Sequence, residues 1–200
     1  AIGDLHLAGQ LQIGNLEFLN YRLARAAGPL KLNWRNRQLT VQASVLGSGA
    51  SGSGVLAAAG GPAPTGRIEI SGLADGRVLI RSMSIGGKGA KIEGEGGQNL
   101  FGGGLTFKGQ LVVPDMANVS HGGAGTLRGG WSAVQTTAPG APWIFTVEAR
   151  GDRFATGGAD LDALLGSAPH LAGHAGFVGD TVSFDTISLE GAKAKANAQG

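Results

Sequence analysis

Cysteine is absent from this 200-residue chain. That excludes a disulfide framework, a thiol nucleophile and a thiolate metal site, and it leaves the compartment open. Proline is scarce, at 7 residues, and the 38 glycines keep no three-residue register, so a collagen-like chain is excluded. Charged residues make up only 15% and the formal net charge is +2, which argues against disorder and gives little support to an anionic macromolecule as partner. No apolar run approaches the ~18 residues of a membrane-spanning helix; the best, Val55 to Ala59, is five. There is no initiator Met and no signal peptide, and the last residues stop inside an alternating segment, so the chain reads as a piece cut from a longer protein.

What is abundant is glycine and period-2 alternation. Leu5, Leu7, Gly9, Leu11 and Ile13 share one parity, as do Leu30, Leu32 and Trp34, then Leu39, Val41, Ala43 and Val45. Strands that bury one face read this way. Further runs are Ile68/Ile70, Val78/Ile80, Leu105/Phe107, Leu111/Val113, Phe145/Val147/Ala149 and Val182/Phe184. Asn36-Arg37 sits where a tight hairpin is required. Asp160 to Leu165, with a Gly stop and Asp160 as the capping residue, predicts one or two helical turns. Asn15 to Ala27 fits either a helix or a bulged strand, with strand preferred. Gly47 to Gly54, Gly60 to Pro64 and Thr136 to Pro142 read as loops or hairpin ends.

A long-range repeat organises the chain. Val78-x-Ile80-x-x-Met83-x-Ile85-x-Gly87-x-x-Ala90 returns 104 residues later as Val182-x-Phe184-x-x-Ile187-x-Leu189-x-Gly191-x-x-Ala194. At an offset of 106, Leu39-Thr-Val-Gln-Ala43 matches Phe145-Thr-Val-Glu-Ala149, each preceded by a tryptophan, Trp34 or Trp131. The expected division is a first β module over 1–100, incomplete at its start, and a second over 101–200. A period this long requires several hairpins per module.

Motifs that would carry chemistry lack their context. Gly47-Ser-Gly-Ala-Ser-Gly52 spells G-x-G-x-x-G, but the helix it needs is not expected, because Val55 to Ala59 runs into Gly60-Gly61-Pro62. There is no P-loop and no nucleophile elbow. His170 and His174 could ligate a metal together only on a helix, and Pro169 and Gly173 argue against one; His6 and His121 stand alone. Lys31, Arg35 and Arg37 surround Trp34 in the manner of a single-strand nucleic-acid binder, yet parity turns Trp34 inward and the cations outward. No enzyme, no cofactor and no nucleic-acid partner are expected.

The order Tyr21-Arg-Leu-Ala24, Gly28-Pro-Leu30-x-Leu32, Leu39 to Ala43, Gly66-Arg-Ile68-x-Ile70 and the doubled V-x-I-x-x-M/I ladder resembles the translocation and assembly module TamB family, within the wider AsmA-like group. The tail, Leu161 to Gly166 followed by Pro169-x-Leu171-x-Gly173, is similar in style. The resemblance implies an all-β, elongated, curled antiparallel sheet forming an open U-shaped trough (a β-taco) with at most one short helix. It also implies a periplasmic location, an inner-membrane anchor elsewhere in the protein, and an Omp85-type outer-membrane barrel as partner. The implied roles are phospholipid transport between membranes and help to outer-membrane protein assembly.

From parity, residues expected to line an apolar groove for phospholipid acyl chains in the first module are Leu30, Leu32, Trp34, Leu39, Val41, Ile68, Ile70, Val78 and Ile80. In the second they are Leu105, Phe107, Leu111, Val113, Phe145, Val147, Val182 and Phe184. Glycines on the ladder, Gly87, Gly94, Gly96 and Gly191 among them, are expected to let the sheet curl. A Cys-free, glycine-rich adhesin or autotransporter passenger is the alternative. It would show short coils of ~20 to 25 residues around a dry core.

Overall fold

A computed structural model describes residues 4–18, 20–99, 104–135, 141–178 and 181–199. The chain divides into two compact units, Ala1–Gln98 and Asn99–Gly200. The first contains β1 (Leu5–Phe18), β2 (Tyr21–Arg35), β3 (Gln38–Gly52), helix α1 (Gly54–Gly60), β4 (Thr65–Gly72), β5 (Val78–Gly86) and β6 (Lys91–Gln98). The second contains β7 (Leu105–Val113), a 3₁₀ turn at Met116–Asn118, β8 (Ala124–Gln135), β9 (Trp143–Ala155), α2 (Ala159–Leu165), β10 (His170–Val178), β11 (Thr181–Glu190) and β12 (Lys195–Ala198). Each unit is thus three strands, a helix of two turns, and three more strands. Within each, pairing is antiparallel between sequence neighbours, and among the described residues no pairing joins first strand to last, so both sheets are open.

Local sequence explains the joints. Asn36 and Arg37 both take positive φ, 50° and 61°, as a two-residue turn whose twist matches its strands requires. Asn15 to Ala27 is a hairpin rather than a helix: Leu16 faces Leu23 and Glu17 faces Arg22, with Asn15 at φ 53°. The two-residue gap in the repeated V-x-I-x-x-M/I ladder is a β-bulge. Arg81 is the extra residue between Ile80, opposite Ile70, and Ser82, opposite Glu69. Asp185 plays the same part between Phe184 and Thr186. Without that extra residue Met83 and Ile187 would turn to the polar face.

Three expectations need correction. Gly47 to Gly52 is not a loop but the end of β3, and the alanine run beyond it does form a helix, α1, stopped by Gly61 at φ 63°. There are therefore two short helices where at most one was expected. The G-x-G-x-x-G still has no dinucleotide context, since α1 is seven residues long and joins antiparallel strands. The second correction concerns curling, which is absent from the open sheets. Gly87 and Gly191 lie in the turns between β5 and β6 and between β11 and β12, beneath the helix ends. A Cβ on Gly87 would come 2.0 Å from the Gly60 carbonyl oxygen, and one on Gly191 2.6 Å from that of Leu164. The turns then donate to the helix carbonyls, from the Gly89 and Ala90 amides to Ala59, and from Ala192 and Lys193 to Leu165 and Leu164. These glycines serve helix docking. Third, Asp160 does not cap α2: the N-cap is Gly158, which makes no side-chain cap bond, and it is Asp162 that ties the helix to the segment before it. Its carboxylate accepts from the Thr156 amide at 2.5 Å, the Thr156 hydroxyl at 2.8 Å and the Gly157 amide at 3.2 Å.

Those bonds to Thr156 hold the Asp162 carboxyl below the ordinary carboxylate range. A depressed folded-state pKa contributes stability that is present above the unfolded value, ~3.9, and lost as pH falls through the lower folded value. Thermal unfolding of the wild type from pH 5 to pH 2 is expected to show a loss that Asp162→Asn, already less stable at pH 7, shows less steeply. Parallel curves for the two proteins would exclude this role.

Candidate functional site

Residues directly opposite in an antiparallel ladder share a face, so the registers define what each sheet presents. In the first unit one face carries Leu5, Trp34, Leu39, Gly72 and Val78 in one cross-strand row. The next row is Leu7, Leu32, Val41, Ile70 and Ile80, and the one beside it Gly9, Leu30, Ala43, Ile68 and Met83. The other face is mostly polar: His6, Asn33, Thr40 and Ser71 in a row that ends on Leu79, and Ala8, Lys31, Gln42, Glu69 and Ser82 in another. All nine residues expected to line the groove in this unit fall on the apolar face.

The second unit repeats the division, with Val112, Val134 and Ile144 as apolar exceptions on its polar face. Phe107, Ala133, Phe145 and Ala175 form one row; Leu111, Gly129, Ala149, Leu171 and Leu189 form another. Leu105 and Val147 lie on the same face, opposite Gln135 and Trp131. Two aromatic contacts sit on it: Phe107 with Trp143 at 5.9 Å between centroids, and Trp131 with Phe145 at 6.3 Å and 21° between planes. Ala133, opposite Phe107 and Phe145 alike, leaves room for the first contact. Val113 is buried at 6% exposure, so it is core and not accessible lining. Val182 and Phe184 lie on β11, and their side chains are outside the described set.

Both apolar faces are lightly covered. Buried apolar residues are few among those described and half are alanines, Ala26, Ala43, Ala149 and Ala175; no large side chain falls below 2% exposure. Leu7 is 51% exposed and Val78 54%, while Leu32, Trp34, Val41, Phe107 and Phe145 are half-buried. Covering such surface is worth about 25 cal/mol per Å², or ~0.8 kcal/mol for each methylene of an apolar ligand sheltered with it. Parity identified most of the lining, but it missed Leu5, Leu7, Met83, Trp131 and Trp143. Trp131 was visible only as a landmark of the repeat and Trp143 was not singled out, because single strands without partners do not reveal which rows meet.

The polar faces are tied by exposed pairs, among them Arg22–Glu17 at 2.9 Å, His170 Nε2–Glu148 at 3.0 Å and His174 Nδ1–Asp185 at 2.6 Å. Such pairs contribute little individually. The two histidines sit on a strand, each against a different carboxylate, and among the described residues no three His, Asp or Glu side chains are placed to hold a metal. Among the described residues no helix is long and apolar enough to cross a membrane. The architecture defines a class: a duplicated antiparallel meander with one accessible apolar face in each unit. No protein-family model, curated protein or solved structure matches the chain.

Proposed function

We propose that the chain is a non-enzymatic segment whose apolar sheet faces shelter lipid acyl chains between two membranes, in the manner of the TamB and AsmA-like proteins its ladder resembles. The observation that carries this reading is the apolar face: rows of aliphatic and aromatic side chains run across five strands of a unit and stay half-exposed. Partition onto such a face requires no catalytic group, and the absence of charge from its rows keeps desolvation costs low. Periplasmic placement, an Omp85-type barrel as partner for other parts of the protein, and assistance to outer-membrane protein assembly belong to the same proposal. The 104-residue period of the repeat favours it over a passenger built from short coils.

A photo-crosslinking residue placed in cells at Val41 or Phe107 is expected to capture phospholipid, whereas Thr40 and Lys108, neighbouring positions on the opposite face, are expected to capture none. Equal capture from both faces, or capture from the polar face alone, would refute the proposal.

A further inference from the structure

The polar faces carry a feature that acyl-chain binding leaves unused. Each unit has a shallow depression that takes in part of its third strand, β3 in the first and β9 in the second. In the first, of ≈ 310 Å³, the lining includes Lys31, Gln42, Ser44, Arg67, Glu69 and Ser82 around Pro29. In the second, of ≈ 570 Å³, it includes Arg128, Ser132, Thr146, Glu148 and Arg150 around Gly130. In the match of Leu39–Ala43 with Phe145–Ala149, Gln42 corresponds to Glu148, so the two depressions share that repeat position. The composition recurs, from different strands: two cations, one carboxylate and at least two hydroxyls in each.

In both depressions the carboxylate is engaged and cations are left over. Glu69 accepts from the Gln42 amide at 3.1 Å, and Glu148 is held by His170 at 3.0 Å and Arg150 at 3.6 Å. Lys31, Arg67 and Arg128 have no hydrogen-bond or ion-pair partner among the described residues. Arg128 stands directly opposite Arg150 in the β8–β9 register. Like charges facing each other across a ladder destabilise it unless an anion lies between them. Two guanidiniums beside hydroxyl donors match a phosphate oxygen set well.

We infer that each unit binds a phosphate ester of a small polyol on its polar face, the second at Arg128, Arg150, Ser132 and Thr146 over the bare backbone of Gly130. The site is independent of the acyl-chain proposal, since it lies on the opposite face. Gly130 is the discriminating position. A Cβ there meets nothing nearer than the Gly109 carbonyl oxygen at 3.8 Å, so the backbone admits a side chain, and Gly130→Val occupies the depression.

The probe is sn-glycerol 3-phosphate titrated into the whole chain, followed by amide chemical shifts. Saturable shifts are expected at Gly130, Ser132 and Thr146 and, separately, at Lys31, Gln42 and Ser44, with glycerol alone producing none. Gly130→Val, with an unchanged unfolding temperature, should weaken the first set at least tenfold and spare the second; Arg128→Gln with Arg150→Gln should do the same. A second arm floats the chain with phosphatidylcholine vesicles containing a quarter phosphatidylglycerol. Shifts with flotation that the arginine variant loses assign the phosphate to a lipid headgroup, and shifts without such flotation assign it to a free ester. No saturable shift, shifts that persist in Gly130→Val, or flotation without shifts would overturn the inference.

Discussion

Gly87→Ala is expected to destabilise the first unit by about 3 kcal/mol, the upper range for forcing extra atoms into a packed site. The added methyl would sit 2.0 Å from the Gly60 carbonyl oxygen and 2.4 Å from its carbon, so the obstacle is backbone and cannot rotate away. Relief requires α1 to lift from the turn, which breaks the bonds from the Gly89 and Ala90 amides to Ala59. Gly191→Ala meets the Leu164 oxygen at 2.6 Å and should cost less. Gly9→Ala is the control: nothing lies within 4 Å of its Cβ, and an alanine in an extended strand should be neutral or stabilising by up to ~0.5 kcal/mol. Urea unfolding monitored by hydrogen exchange, which separates the two units, gives all three values. A Gly87→Ala protein within 0.5 kcal/mol of wild type would show that the helix does not need its docked position.

The second large effect is functional and rests on the proposed role. Phe145→Glu should reduce phospholipid capture at Phe107 at least tenfold, because it sets a carboxylate in the row through which an acyl chain would pass and removes the ring stacked on Trp131. Thr106→Glu, next to the capture position in sequence and on the opposite face, should leave capture unchanged. Equal loss in both variants would point to damage of the fold, and no loss in either would remove the second unit's face from the path.

Much of this architecture is written in the order of residues. Alternation in Leu30 to Trp34 and Leu39 to Val45 gives both the strands and the face, because period 2 has one physical reading when half the positions are apolar. The Val78 and Val182 ladders matched even across their break in phase, though the bulge behind that break needs the partner strand to be seen. What stayed hidden has a common cause. α1 is seven residues of glycine, valine, leucine and alanine, too weak a helix by itself, and it persists through Gly61 and the turn it packs on. Gly87 and Gly191 seemed to be strand glycines because their neighbours in sequence are strands; their actual neighbours are helix carbonyls. Asp162 was hidden for a similar reason, since its hydrogen-bonding partners, Thr156 and Gly157, lie outside the helix, ahead of its first residue.

In each unit, every described strand pairs with the strand just before or just after it. A chain organised this way closes only short loops as it folds, so each hairpin can form on the one already laid down, and search time grows gently with length. The same rule governs heredity. A stretch of about a hundred residues ending at strand boundaries can be copied or lost by recombination without changing which strand must find which, and that gives a simple physical account of why one plan of three strands, a helix and three strands occurs twice.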